Sequence, residues 1–274
     1  MKVYVCALAK NEHLYINEWV SHYLKLGVDK IFIYDNDDKG SKQISDFIDK
    51  KSLERVKIIN ARGLHWKEIQ HDFYNNFYRV EKDNFDWCLY CDVDEFLTGI
   101  DNIKTFLSKP IFKIYEQIRI KWKLFGDDEL IERDMSKGVM ETFNNVLASS
   151  LSRDLSKPSN LQSQGKSIVK GHLNHCKFTS VHFAINKNDN RLLPSCLPSG
   201  KRTFSGVVIE DDYTNETIYL NHYMTKSLSE FVKQKMNRTD AVFGKRILDL
   251  NYYWRINKKT PEKEKYLKDM GLIQ

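Results

Sequence analysis

Asp86-Trp87-Cys88-Leu89-Tyr90-Cys91-Asp92-Val93-Asp94-Glu95 is the stretch on which the fold turns. Trp87 to Cys91 is a continuous apolar run of strand length, and such a run suits a strand buried on both faces. It stops at an acidic cluster. Two carboxylates one residue apart at the end of a buried strand emerge near the same sheet edge, where leaving them unpaired would be unfavourable. A hard divalent cation is a natural partner, because Mg²⁺ or Mn²⁺ takes carboxylate oxygen and also binds diphosphate as a Lewis acid. On that reading Asp94 lies on the metal and Asp92 on the metal or a ribose. Asp-x-Asp alone is weak, since acidic pairs are common in turns and helix caps. The surrounding pattern raises its weight.

Upstream, Val3 to Leu8 is a β-rich apolar run, and residues 14–26 carry Leu14, Ile16, Trp19, Val20, Tyr23 and Leu24 at helical intervals before Gly27. Lys30 to Tyr34 reads as a strand ending at Asp35-Asn36-Asp37-Asp38, residues 41–50 as a helix, and Arg55 to Ile59 as a third strand. Residues 66–82 read as a long helix with Ile69, Phe73, Phe77 and Val80 inward. Strands alternating with helices predict an α/β fold with a Rossmann-like, mostly parallel sheet flanked by helices. Ligands of such sheets bind beyond the carboxyl ends of the strands, where Asn11, Asp35, Asn36 and the acidic cluster all fall.

Downstream, a short helix closes at Phe106-Leu107, Ile114 to Trp122 reads as a strand, and Leu124 to Asp128 as a turn. Residues 149–165, rich in Ser, Asn, Gln and Lys, read as a mobile loop, either a lid that closes over a bound donor or a flexible surface excursion. Strand-like runs follow at Ser167 to Lys170, Val181 to Phe183 and Ile218 to Tyr223. Beyond them a helical pattern places Leu228, Phe231, Val232 and Met236 on one face.

With 274 residues the chain is long enough for a full core, and 41% apolar residues with 12 Gly and 5 Pro are ordinary globular usage. A net charge of +6 is too small to imply nucleic-acid binding and is compatible with an anionic ligand or lipid headgroups. The five cysteines, Cys6, Cys88, Cys91, Cys176 and Cys196, lack framework spacing and read as reduced core thiols. The N-terminal apolar run is too short for a signal peptide or membrane span, so a cytoplasmic location is expected.

Ala9-Lys10-Asn11-Glu12, Asn17-Glu18-Trp19-Val20, Gly27 to Asn36 and Asp92 to Phe96 together resemble the family-2-like glycosyltransferases and the related family 92 proteins. Lys166 to Val169, Val181-His182-Phe183 and Leu220 to Ser227, with Glu230-Phe231 and Lys235, resemble that group's C-terminal pattern. The resemblance implies a GT-A fold, a UDP-sugar donor, inverting chemistry and a divalent metal, Mn²⁺ or Mg²⁺. It implies a glycosyltransferase domain over residues 1–225, with a nucleotide-binding half at 1–100 and an acceptor half at 101–225. A helical, basic and aromatic extension then covers 226–274. Carried to these positions, Ala7, Leu8, Lys10, Asn11 and Asp35 would line the uridine pocket. Asp92, Val93 and Asp94 would hold ribose and metal, His222 would complete the metal-diphosphate site, and Lys226 would meet a phosphate.

Inversion needs a general base near the acceptor hydroxyl, and Asp127 and Asp128 are the candidates. They stand where the family usually has a Gly-Ser or Gly-Asn pair. Glu210-Asp211-Asp212 reads instead as an exposed hairpin turn. The expected substrates are UDP-galactose or UDP-glucose and a glycan or lipid-linked acceptor, in bacterial surface-polysaccharide assembly. Residues 246–265 suggest peripheral contact with the cytoplasmic face of the inner membrane, favoured over nucleic acid. His172, His175, Cys176 and His182 lack a recognised zinc spacing. Neither a P-loop nor a nucleophile elbow is present, and a metal-dependent nucleotidyl- or phosphotransferase is the nearest enzymatic rival.

Overall fold

The computed structural model describes residues 1–147, 164–206, 216–236, 238 and 248–274. Its first half runs β1 (Val3–Ala9), α1 (Ile16–Lys25), β2 (Lys30–Asp35), a 3-10 turn (Ile44–Phe47), α2 (Lys50–Leu53), β3 (Val56–Asn60), α3 (Ile69–Glu81) and β4 (Trp87–Tyr90). Then come β5 (Glu95–Thr98), α4 (Ile103–Leu107), β6 (Gln117–Leu124), α5 (Val139–Thr142) and β7 (Gly165–Lys170). Short strands follow: β8 (Cys176–Phe178), β9 (Ala184–Asn186), β10 (Ser195–Cys196), β11 (Arg202–Thr203) and β12 (Tyr219–His222). The C-terminal part is helical, with α6 (Leu228–Glu230), a π turn (Phe231–Lys235), α7 (Leu250–Trp254) and α8 (Pro261–Asp269).

Among the described residues the main sheet has the order β11-β10-β6-β7-β4-β1-β2-β3, with β12 beside the end of β6 and β5 beside β12. β3, β2, β1 and β4 are mutually parallel, β7 runs antiparallel to both β4 and β6, and β12 is parallel to β6. The result is the expected α/β arrangement, a mixed and mostly parallel sheet flanked by helices. Its two faces divide the apolar residues by the two-residue period of a strand. On β1, Val3, Val5 and Ala7 join Trp19, Val20 and Tyr23 of α1 in one core, while Tyr4 and Cys6 join Tyr74, Phe77 and Tyr78 of α3 in the other. Both faces are covered, which is why β1 and β4 read as unbroken apolar runs rather than alternating ones.

Several elements depart from their sequence reading. The first helix begins at Ile16, leaving Leu14 exposed. The second shrinks to a 3-10 turn and the four residues of α2, neither with a side-chain N-cap. α3 buries Ile69, Tyr74, Phe77 and Tyr78 but leaves Val80 56% exposed, because its inward stripe passes through the tyrosines. β6 starts at Gln117 and not at Ile114, which is 77% exposed. Val181 to Phe183 is a bend; the strand here is β9, which pairs with β8. All five cysteines are free, and four are buried. Residues 148–163, Glu210-Asp211-Asp212 and Arg246 lie outside the described residues. Among the described residues no helix is long and apolar enough to cross a membrane.

The C-terminal helices carry a small core of their own, Leu228, Phe231, Tyr253 and Leu267, with Val232 and Met236 packed against it. A capping box opens α6, in which the Ser227 side chain accepts from the Glu230 N–H and Glu230 reaches back to the Ser227 N–H. Glu230 also holds Arg133 at 3.0 Å, tying α6 to the segment after β6.

Candidate functional site

β4 ends at Tyr90, so Asp92 and Asp94 sit just beyond the carboxyl end of a central strand. The turn that carries them is braced from below. The Trp19 indole and the Tyr23 hydroxyl both donate to the Glu95 carbonyl, at 3.0 and 2.9 Å, and the Leu97 N–H donates to the Tyr23 hydroxyl at 3.2 Å. The Glu95 carboxylate accepts from the Asp92 N–H at 3.1 Å, closing the turn on itself. A single helix face thus holds the backbone of the acidic cluster in register.

Neighbouring strands then bring cations to it. β7 pairs antiparallel with β4 through Ser167 and Tyr90, which sets the preceding Lys166 beside the chain as it leaves β4. Its ammonium, with the side chain fully buried, lies 2.8 Å from the Asp92 carboxylate and 3.9 Å from Glu95. Gln70 of α3 donates to the other Asp92 oxygen at 2.6 Å. Asp94 meets the Lys235 ammonium, which also donates to the Met224 carbonyl, and has Lys226 at 3.9 Å. β12 pairs with β5 so that His222 stands opposite Glu95, and its Nε2 lies 3.4 Å from Asp94.

The electrostatics follow from this packing. Burial works to raise the Asp92 and Asp94 carboxyls, but Lys166 at the first, and Lys235 with His222 at the second, outweigh it. Asp92 ends below the usual carboxylate range and Asp94 well below it. Burial, followed by the Asp92 and Asp94 charges, holds the Glu95 carboxyl well above its ordinary value against the pull of Lys166. Burial lowers His222 despite Asp94, so its imidazole is neutral near pH 7. Asp94 is 6% exposed, while Asp92 at 33% is the carboxylate that a solute can reach.

The loop after β1 closes the opposite wall. Asn11 adopts a left-handed backbone at φ 58°, its N–H donates to Asp37 at 2.6 Å, and its amide donates to the Gln234 carbonyl at 3.3 Å. Arg238 donates to the Lys10 carbonyl at 2.7 Å and lies 3.1 Å from Glu12. The C-terminal segment therefore packs directly against the expected uridine loop. Asp35 is buried, 3.5 Å from Arg62, and burial raises its carboxyl pKa. Ala7 is buried in the sheet, Leu8 is half-buried, and Lys10 is 3.4 Å from Asp38. Around the acidic cluster several buried polar atoms lack a hydrogen-bond partner among the described residues: Tyr15 Oη, Glu12 Oε2, Gln234 Nε2, Glu95 Oε1, His222 Nδ1 and Trp122 Nε1. Buried polar groups in folded proteins are satisfied by protein, water, an ion or a ligand, so these atoms are open to such partners.

The structure thus brings Asp92, Asp94, His222 and Lys226 together with the Asn11 loop, and engages the base candidates in other bonds. Asp127 is buried and accepts from Lys263 and from the Tyr253 hydroxyl. Asp128 accepts from the Asn144 and Asn145 N–H groups, at 2.8 and 3.1 Å. His172, His175 and His182 have separate partners in Asp83, Glu116 and the Gly165 carbonyl. Lys166 and Lys235 received no role from the sequence, although a lysine inside an apolar strand pattern, as at Gly165-Lys166-Ser167-Ile168-Val169, is itself a signal.

The donor set does not fit a divalent ion as it is folded. The Asp92 and Asp94 carboxylates face ammonium groups, and a shared ion would have to displace Lys166 and Lys235. Among the described residues no three His, Cys, Asp or Glu side chains are grouped as a metal requires.

No protein-family model matches the chain. The chain is distantly related in sequence to the family 92 glycosyltransferases: it is 24% identical over 113 residues to a glycosyltransferase family 92 protein of Oryza sativa subsp. japonica. That match covers 39% of this chain and 19% of the relative, so the chain spans about a fifth of that protein's length. Among solved structures, S. aureus TarS aligns with a TM-score of 0.33 and 14% identity, over 48% of this chain and 24% of that one. The galactosyltransferase LgtC, solved with donor and acceptor sugar analogues, aligns with a TM-score of 0.25 and 12% identity, over 43% and 46%.

Proposed function

We propose that this protein is a glycosyltransferase that moves a hexose from UDP-galactose or UDP-glucose to a hydroxyl of a glycan or lipid-linked acceptor, with inversion, in surface-polysaccharide assembly. One observation carries the reading: a carboxylate pair at the carboxyl end of a central strand, ringed by buried cations and by buried polar atoms without hydrogen-bond partners among the described residues. In this proposal Ala7, Leu8, Lys10, Asn11 and Asp35 surround the uridine, Asp92 takes the ribose beside Val93, and His222 and Lys226 border the diphosphate. The acceptor hydroxyl oxygen attacks the anomeric carbon as the bond to the diphosphate breaks, and the hydroxyl proton passes to water or to the departing UDP. Cationic groups fixed in a buried site stabilise the charge that develops on the leaving UDP, and their fixed positions leave little to reorganise during the reaction. Lys258, Lys259 and Lys265 are exposed, whereas Lys263 is buried, so the first three are the ones offered to an anionic membrane surface.

The test is release of free UDP from UDP-galactose and UDP-glucose by the purified protein, with and without an oligosaccharide acceptor and with and without Mn²⁺. UDP release that the Asp92→Ala, Asp94→Ala double variant loses by about 100-fold or more is the expected result. Release of UMP or pyrophosphate instead would favour a nucleotidyl- or phosphotransferase.

A further inference from the structure

We propose that Lys166, Lys226 and Lys235, rather than a divalent ion, supply the positive charge that meets the nucleotide diphosphate at this site. The inference rests on the glycosyltransferase reading and specifies how that site takes its donor. Lysine is almost never fully buried unless paired, yet three lysines from three different segments converge here. Lys166 comes from β7 and is fully buried, Lys226 precedes α6 and is 1% exposed, and Lys235 ends the π turn at 6%. Each has a carboxylate within 4 Å: Asp92 at 2.8 Å for Lys166, and Asp94 for both Lys226, at 3.9 Å, and Lys235.

Two ionised carboxylates, Asp92 and Asp94, therefore face three ammonium groups, while burial keeps the neighbouring Glu95 protonated. The cluster has no negative charge in excess with which to hold a dication. Adding one would leave three uncompensated positive charges in a buried site, or would push the ammoniums off their carboxylates, and either is unfavourable. A diphosphate instead brings negative charge, with oxygen acceptors for ammoniums that each have three N–H donors. Lys226 is the group best placed to turn to it. Its backbone is held in the left-handed region at φ 56°, uncommon for a side-chain-bearing residue. Its ammonium lies 3.9 Å above the Tyr15 ring and donates to the Tyr223 carbonyl at 3.1 Å, and it shares Asp94 with Lys235. The Tyr15 hydroxyl, on the ring beneath Lys226, and the Gln234 amide, next to Lys235 in sequence, have no hydrogen-bond partner among the described residues and add donors.

The experiment is titration calorimetry of UDP and of uridine against the intact protein in EDTA and in Mn²⁺. UDP is expected to bind in EDTA, with Mn²⁺ changing its affinity by less than about threefold. Lys226→Met is expected to weaken UDP by about tenfold while leaving uridine unchanged, since only UDP carries the diphosphate. Should that variant fail to fold by circular dichroism, Lys226→Gln gives the same readout. Asp94→Asn separates the two schemes by sign. It releases Lys226 and Lys235, so UDP binding in EDTA is retained or tightened, whereas at a metal site the same change removes a ligand. UDP binding that appears only with Mn²⁺ and is lost in Asp94→Asn would overturn this inference and leave the glycosyltransferase reading standing. Absence of UDP binding under both conditions would overturn both.

Discussion

The Asp127 carboxylate is closed on every side: Oδ2 accepts from Lys263 and Tyr253, Oδ1 accepts from the Glu129 N–H at 2.9 Å, and its own N–H donates to Asn257 at 2.9 Å. Lys263 is fully buried, and Asp127 is its carboxylate partner. Removing the charge from such a pair strands the other ion, a loss of about 3–5 kcal/mol where it has been measured. Asp127→Asn is therefore expected to destabilise the fold by about that amount in urea unfolding, because it detaches α8 from the turn after β6. A variant that unfolds like the wild type but releases no UDP would return Asp127 to the role of base. The sequence, showing only an acidic pair after a turn, could not distinguish the two roles, since Lys263 lies 136 residues away.

At the level of the elements, the position of Lys166 depends on how closely β7 lies against β6. A Cβ on Gly165 would stand 1.9 Å from the Ile120 carbonyl oxygen, which no side-chain-bearing residue can tolerate without moving the strand. Gly165→Ala is expected to lose on the order of 2 kcal/mol by overpacking. It is also expected to weaken UDP binding as Lys166 shifts from Asp92; unchanged stability and binding would show that the strand spacing does not set the site. The strands were the most legible elements, because unbroken apolar runs such as Val3 to Leu8 and Trp87 to Cys91 leave few alternatives. Short elements were less so. Val181-His182-Phe183 has strand-like residues, but the His182 Nδ1–H donates to the Gly165 carbonyl and the Ser167 hydroxyl donates to the His182 carbonyl, so the segment bends to meet β7 instead of pairing.

For the molecule as a whole, buried histidines make stability depend on pH. Burial lowers His22, His71 and His222, and lowers His182 to about 3. The unfolded chain takes up these protons near pH 6.5 and the folded chain does not, so their contribution is full above that pH and is lost as pH falls below it. Glu95 acts in the opposite sense, keeping its proton in the folded state and subtracting stability as pH rises above its unfolded value. Since His182 alone is worth ~1.4 kcal/mol per pH unit below 6.5, urea unfolding of a Glu95→Gln variant, which lacks the opposing carboxyl, is expected to give a lower stability at pH 5.5 than at pH 7.5. Equal stability at the two values would mean that these imidazoles are protonated in the folded protein.

The sequence by itself determined the succession of strands and helices and the place of Asp92 and Asp94 at a strand's end, because both are written in local periodicity and in where an apolar run stops. Only the tertiary structure decided what those carboxylates face. The Lys166 and Lys235 contacts bridge 74 and 141 residues of chain, and the charge that meets an aspartate across such a distance is set by sheet order and strand register, which no local pattern encodes.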